Sequence, residues 1–315
     1  MSKLVLIDGN AILHRAYHAL PPLIAKDGKP INAVYGLISM LLGLIQTLRP
    51  THIAFCFDRK EPTFRKKAFV SYQAQRPAMD DDLSSQFEKA RKVIRAMNIP
   101  VYSKAGFEAD DVIGTLAFQS TNNLKHITNN KSSVISHKLI DEVVIVTGDR
   151  DILQLVDERI KVYLPIKGVS EGKVYDKNDV FLKMGCTPPQ IVDYKALVGD
   201  PSDNYPGVPG IGPKTATALL AKYGSFENIY KQLSEISPST RKKLEDGRKS
   251  GEMSYHLAKI VTNVDVDVDL STAEKWKVDG DEVLKTFSEF GFKTLTGRVK
   301  KVGKELETEK QLTLI

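Results

Sequence analysis

Cysteine, histidine and long apolar runs are all scarce in this chain, and each scarcity closes off a class of protein. Only Cys56 and Cys186 occur in its 315 residues, so neither a disulfide framework nor a cysteine zinc cluster is available. A reducing cytoplasm is the expected compartment. Of six histidines only His14 and His18 sit four apart; without a third ligand they read as a helix face, not a zinc site. The longest apolar stretch, near Gly36–Leu48, is about a dozen residues broken by Ser and Gly, too short to span a bilayer. Met1–Gly9 lacks the apolar length and the cleavage site of a signal peptide. No internal repeat is present. With 42% hydrophobic and 27% charged residues, wholesale disorder, collagen and a coiled coil are also excluded. The length suggests about two domains.

What is present is charge sorted by position. The net excess is only +6, but Arg59–Arg76 holds six cations (Arg59, Lys60, Arg65, Lys66, Lys67, Arg76) against Glu61 alone. Phe64, Phe69 and Tyr72 are interleaved with them. Cations that neutralise phosphates beside aromatics that stack on unpaired bases read as a nucleic-acid clamp.

The apolar runs Lys3–Ile7, His52–Phe57 and Val143–Val146 predict buried strands. Ala11–Leu20 and Ala33–Leu48 predict helices, and the spacing of Leu83, Phe87, Ala90, Ile94 and Met97 predicts an amphipathic one. Strands alternating with helices indicate an α/β fold with a parallel sheet flanked by helices, whose crevice lies at the carboxyl ends of the strands. Gln119–Glu142 reads as a polar surface loop, and Asp265–Leu270 as a half-exposed strand or extended edge. After about Lys173 the character changes to short helices and Gly/Pro turns. The expected division is 1–172, 173–300 and a polar tail 301–315.

Acids recur where those strands end. Asp8 and Asp58 terminate two of them, Asp149 and Asp151 follow the third, and Glu108, Asp110 and Asp111 open a helix. Asp200 and Asp203 lie in Gly199–Asn204. Each group alone is explained by a helix dipole. Gathered around one sheet, nine carboxylates would repel unless cations intervene, which points to hard divalent ions such as Mg²⁺. Two such ions suit phosphodiester hydrolysis.

Gly207-Val208-Pro209-Gly210-Ile211-Gly212-Pro213-Lys214-Thr215-Ala216 opens an apolar helix with free backbone N–H groups, a phosphate grip. Pro213 between Gly212 and Lys214 excludes a P-loop, and Thr215 stands where a dinucleotide fingerprint needs glycine. The stretch resembles a helix-hairpin-helix.

Leu6–Asn10, Phe57-Asp58, Gly106–Asp111, Thr147–Asp151 and Leu197–Ala216 occur in the order found in the bacterial 5′-nuclease family, which the chain closely resembles from about Lys3 to Val299. That family comprises the 5′–3′ exonuclease domain of DNA polymerase I, free-standing exonucleases and flap endonucleases. The resemblance implies a PIN-like domain with a helical arch (about 59–97) and a smaller all-α helix-hairpin-helix domain. It implies Mg²⁺- or Mn²⁺-dependent hydrolysis at 5′ ends and 5′ flaps of DNA and RNA-primed DNA, by a monomer at the nucleoid without a membrane. One metal site would use Asp8, Asp58, Glu108 and Asp110, with Asp111 near; the second, Asp149, Asp151, Asp200 and Asp203. Arg15 and Lys195 match residues that contact substrate phosphates, and Arg65 and Arg76 match arch residues. Lys66, Lys67, Tyr72 and Gln73 would meet DNA. The hairpin residues Gly207, Gly210, Gly212, Lys214 and Thr215 would hold the duplex, with K⁺ on the hairpin carbonyls. Gln73 replaces the usual arch lysine, which implies reduced activity. Gln311–Ile315 resembles a peptide that docks on the sliding clamp. A PIN-like ribonuclease and a non-catalytic branched-DNA-binding module share parts of the pattern.

Overall fold

Leu4–Ile7, Ile53–Cys56 and Val143–Val146 are apolar at every position, the pattern of strands covered on both faces. In the computed structural model, which describes residues 1–122, 139–167 and 171–313, they form the centre of one sheet. Its strands are β1 (Lys3–Asp8), β2 (His52–Cys56), β3 (Val101–Tyr102), β4 (Glu142–Val146), β5 (Ile160–Lys167) and β6 (Glu171–Tyr175). They run in the order β3-β2-β1-β4-β5-β6, parallel except for β6 against β5. The order reverses between β1 and β4, and the crevice of such a sheet opens there. Register does the rest: Asp8 pairs with Cys56, and Ile7 with Val146. Asp8, Asp58 and Asp149 therefore leave the sheet at one end.

Helices α1 (Gly9–Ala19), α2 (Asn32–Leu48), α3 (Phe64–Ala68), α4 (Asp81–Ser84), α5 (Gln86–Ala96) and α6 (Ala109–Thr121) belong to the first half. The second contains α7 (Lys177–Met184), α8 (Gln190–Val198), α9 (Pro213–Tyr223), α10 (Phe226–Lys231), α11 (Pro238–Ala258), α12 (Leu270–Ala273), α13 (Asp281–Phe290) and α14 (Lys293–Thr313). One sheet face packs on α1, α2 and α5, the other on α6 and α8. A separate core around Leu197, Val208, Ile211, Leu220 and Leu244 joins α8, α9 and α11.

Three expectations are corrected. The sheet continues through Tyr175, so its last hairpin crosses the boundary expected at 172; β6 carries Glu171 and Lys173 and shows no apolar period. Residues 276–302 do not stay with the second domain. Val278, Val283, Phe287, Leu295 and Val299 join the first core because α2, apolar on nearly all sides, needs covering by α14 as well as by the sheet. The expected polar tail is the continuation of α14 to Thr313. Within the expected arch, 59–79 borders the crevice, and α5 borders it through Arg91 and Arg95 while packing into the core through Ala90, Val93 and Ile94. Asp265–Val268 forms no strand. Of the polar stretch 119–142, residues 123–138 lie outside the described residues.

A buried amide ties these layers together. Helix α2 has no side-chain cap of its own. Gln86, fully buried on α5, accepts from Ala33 N at 2.8 Å and Val34 N at 3.4 Å, and donates to Asn32 Oδ1 at 3.1 Å. Gln86→Leu should cost about 1–3 kcal/mol by leaving buried donors unpaired. The check is a lower urea midpoint at unchanged slope.

Candidate metal centre

The carboxylates are placed by backbone, not by chance. Asp8 caps α1, accepting from Ala11 N at 2.9 Å, and takes the Thr147 hydroxyl at 2.8 Å. Asp58 accepts from Ala109 N at 2.7 Å, while its own N–H donates to Asn10 Oδ1. Glu108 is the N-cap of α6, and Asp110 lies in that helix's first turn. Asp149 accepts from Asp151 N at 2.8 Å. Asp200 closes a tight turn onto Tyr205 by a two-way backbone bridge. Asp8, Asp58, Glu108, Asp110, Asp149, Asp151 and Asp203 line a single cleft of about 1420 Å³. Asp151, Asp200 and Asp203 each offer a ligand oxygen within 4.8 Å of the others.

Bringing them together is electrostatically costly. Burial, then Asp58, pushes Asp8 up to about 7. Burial also raises Glu108 to about 7, against the pull of Arg65. Asp151 reaches about 7 through burial and Asp149. Burial, then Asp149 and Asp8, holds Asp110 well above the carboxylate range, and burial raises Asp58. Burial would raise Asp200 too, but Lys195 keeps it below its ordinary value. Lys195 is itself buried and is gripped by Asp151 and Asp200. The donor set is all oxygen, which suits a hard divalent cation. Burial first and neighbouring acids second raise Asp8 and Asp110, and a cation beside them would oppose both effects. By both criteria the residues fit such an ion.

Two expected site residues face elsewhere. Asp111 is completely buried, with both oxygens on Arg65 at 2.7 and 2.8 Å and a further bond from Val261 N. It is a structural partner, not a ligand. Arg65, 2% exposed, uses every N–H it has: on Asp111, on Glu108, and on the carbonyls of Leu257 and Lys259. It has no donor left for a phosphate. The pair ties the start of α6 to the chain after α11, a contact between residues ~150–190 apart that no local pattern announces.

The basic segment is also held more tightly than a clamp loop. Tyr72 is 3% exposed and points its hydroxyl at Glu108 and Asp203, so it cannot stack on a base. Gln73 N donates to Asp203 O at 2.9 Å, and Arg76 Nη2 to Asp203 Oδ1. Asn204 Nδ2 reaches back to Ser71 O at 2.7 Å. Gln73 and Asn204 both adopt positive φ, 53° and 59°. Turn 71–76 is thus latched onto turn 203–204 at the cost of left-handed backbone. Lys66 donates to Tyr72 O, and Lys67 is exposed. Arg15 lies on α1, close enough to Tyr163 to influence its phenol.

Gly207 is a packing residue, not a surface contact. It is buried with φ 66°, and a Cβ there would meet Gly199 N at 2.3 Å. Its carbonyl accepts from Ser250 and that of Gly210 from Lys243. Gly210, Gly212 and Lys214 are exposed and Thr215 is half-buried at the start of α9. The sequence reading missed Thr147, Asn10 and Tyr205. It also missed Arg91 and Arg95, which line the cleft from α5 and whose four-residue spacing opposite its apolar stripe was the available signal.

The chain is similar to known proteins over most of its length. A family model described as the 5′-3′ exonuclease N-terminal resolvase-like domain matches residues 3–185, and one described as the 5′-3′ exonuclease C-terminal SAM fold matches 186–281. DNA polymerase I of Pseudomonas aeruginosa is 38% identical over 320 residues, covering 98% of this chain and 33% of the relative. That of Bacillus subtilis is 36% identical over 311 residues, covering 98% and 34%. The chain spans about a third of the length of the curated relatives it matches. The bacteriophage T5 flap endonuclease, solved with DNA and metal ions, has a similar fold: TM-score 0.61 at 19% identity, covering 95% of this chain and 97% of that one.

Carboxylates that titrate near 7 in the fold and near 4 when unfolded stabilise it fully only below pH ~4. That contribution is lost as the pH rises through 7. Without metal, the protein should melt lower at pH 8 than at pH 5.5. Asp110→Asn should raise the metal-free melting temperature at pH 8, read by calorimetry; a fall would contradict the repulsion.

Proposed function

The chain belongs to the 5′–3′ exonuclease family, and from that premise we propose that it hydrolyses DNA phosphodiesters at 5′ ends and 5′ flaps with two divalent ions, Mg²⁺ or Mn²⁺. The observation that carries the reading is the convergence of acids from five separate stretches on one cleft bordered by Arg59, Lys60, Arg76, Arg91 and Arg95. Asp8, Asp58, Glu108 and Asp110 would hold one ion; Asp149, Asp151, Asp200 and Asp203 the other. Bound there, such ions lower the pKa of water and neutralise charge that builds on the phosphate.

The chain's own residues prepare the substrate. Arg76, half-exposed and paired with Asp203, is placed to exchange that carboxylate for a phosphate. Lys195 is a compact cation already inside the acidic group. Arg15, Lys66 and Lys67 would add positive charge to the approach. The exposed hairpin at Gly210–Lys214 would hold duplex phosphates through backbone N–H groups at the start of α9. Such contacts position without specifying bases. RNA-primed DNA is the accompanying substrate. A K⁺ ion on the hairpin would have to share carbonyls with Ser250 and Lys243. Gln311, exposed in the last turn of α14, would begin the peptide offered to a sliding clamp; Leu314 and Ile315 lie outside the described residues.

The test is an end-labelled 5′-flap duplex incubated with Mg²⁺, then with EDTA, beside single-stranded RNA. Flap cleavage abolished by EDTA is expected; preferential cleavage of the RNA would favour a ribonuclease. Asp149→Asn should lower turnover at least a hundredfold, in line with loss of other transition-state charge stabilisers, while DNA binding in Ca²⁺ persists. Gln73→Lys should raise the single-turnover rate by about tenfold by restoring a cation; an unchanged rate would show that Gln73 is not limiting.

A further inference from the structure

Among the described residues, the buried side-chain polar atom left with no hydrogen-bond partner is the hydroxyl of Tyr205. The residue is 3% exposed. Its ring lies in a small apolar cluster with Tyr72, Val192, Leu257 and Ala258, where phenylalanine would pack equally well. The hydroxyl is what distinguishes tyrosine there, and an unmet buried hydroxyl opposes folding. Its surroundings are specific. After burial, the groups that act on the phenol are Asp151, Asp200, Asp203 and then Asp149, all of which hold it in the neutral form. The first three are the acids whose ligand oxygens lie within 4.8 Å of one another. The backbone fixes the relation: Asp200 N donates to Tyr205 O at 2.8 Å, and Tyr205 N to Asp200 O at 3.1 Å. The phenol is anchored to the very turn that supplies two of the three acids.

We propose that Tyr205 is a positioning residue that seats the hydration shell of a divalent cation held by Asp151, Asp200 and Asp203. A hydrated Mg²⁺ or Mn²⁺ keeps several waters, each a strong donor that needs an acceptor inside a buried site. The phenol oxygen would accept from one of them, which supplies the partner that the protein alone does not. The water so held would fix the hydration shell relative to the Asp200–Tyr205 turn. This rests on the metal-dependent reading above.

Tyr205→Phe removes one oxygen and leaves the apolar packing in place. Mn²⁺ binding followed by electron paramagnetic resonance should show one of two sites weakened about three- to tenfold, the equivalent of one hydrogen bond, with the other unchanged. The metal-free melting temperature should stay equal or rise, because the variant loses an unsatisfied group. Val192→Ala is the control for packing alone: it should lower metal-free stability and leave Mn²⁺ affinity intact. Equal Mn²⁺ affinities for the unaltered chain and Tyr205→Phe would overturn the inference and leave the metal reading standing. Equal weakening by Val192→Ala would also overturn it, by assigning the effect to packing. No Mn²⁺ uptake by the unaltered chain would overturn both.

Discussion

The burial of carboxylates beside one another is the constraint on which the rest of this structure depends. A parallel sheet gathers the ends of its strands, so Asp8, Asp58 and Asp149 are brought together by the same hydrogen-bond register that stabilises β1, β2 and β4. The apolar core that drives the sheet to form thus assembles a site that opposes it. Burial is the first cause of the upward shifts of Asp8, Glu108, Asp110 and Asp151, and the neighbouring acids add to it. Helix N-termini soften it at Asp8 and Asp58 by directing amides at the acids.

The chain's own cations relieve the repulsion unevenly. Lys195 sits between Asp151 and Asp200, and Arg76 on Asp203, so one side of the cleft is partly neutralised by side chains. Arg65 and Asp111 form a closed pair beneath it that stitches α6 to the segment after α11. Asp8 and Asp58, on the other side, rely on backbone amides and the Thr147 hydroxyl. The latch of turn 71–76 on Asp203 links the two halves of the cleft wall. It places the basic segment directly against an acid that the metal reading also needs, so docking of that turn and full coordination by Asp203 draw on the same oxygens.

Much of this was legible in the sequence because it is local. An apolar run that stops at Asp tells where a strand ends and that its last side chain faces a crevice. Gly207–Ala216 told of a hairpin opening a helix. What was not legible depends on partners far along the chain. Asp111 looked like its neighbours until Arg65 was found beside it, and Tyr72 looked like a stacking aromatic until its hydroxyl was found on Asp203. The two residues of β3 carry no periodicity. The return of α13 and α14 to the first core had only an indirect sign, the excess of apolar faces on α2. Tyr205 gave none, since its significance is a missing partner, visible only once the fold encloses it.

A cluster of partly protonated acids that binds divalent cations must give up protons as it does so. Titration calorimetry of Mg²⁺ into the protein at pH 6.5, in two buffers of different ionisation enthalpy, measures that exchange directly. A buffer-dependent heat showing proton release at pH 6.5, and less release at pH 8.5, is the expected result. Binding heats identical in both buffers at pH 6.5 would contradict it.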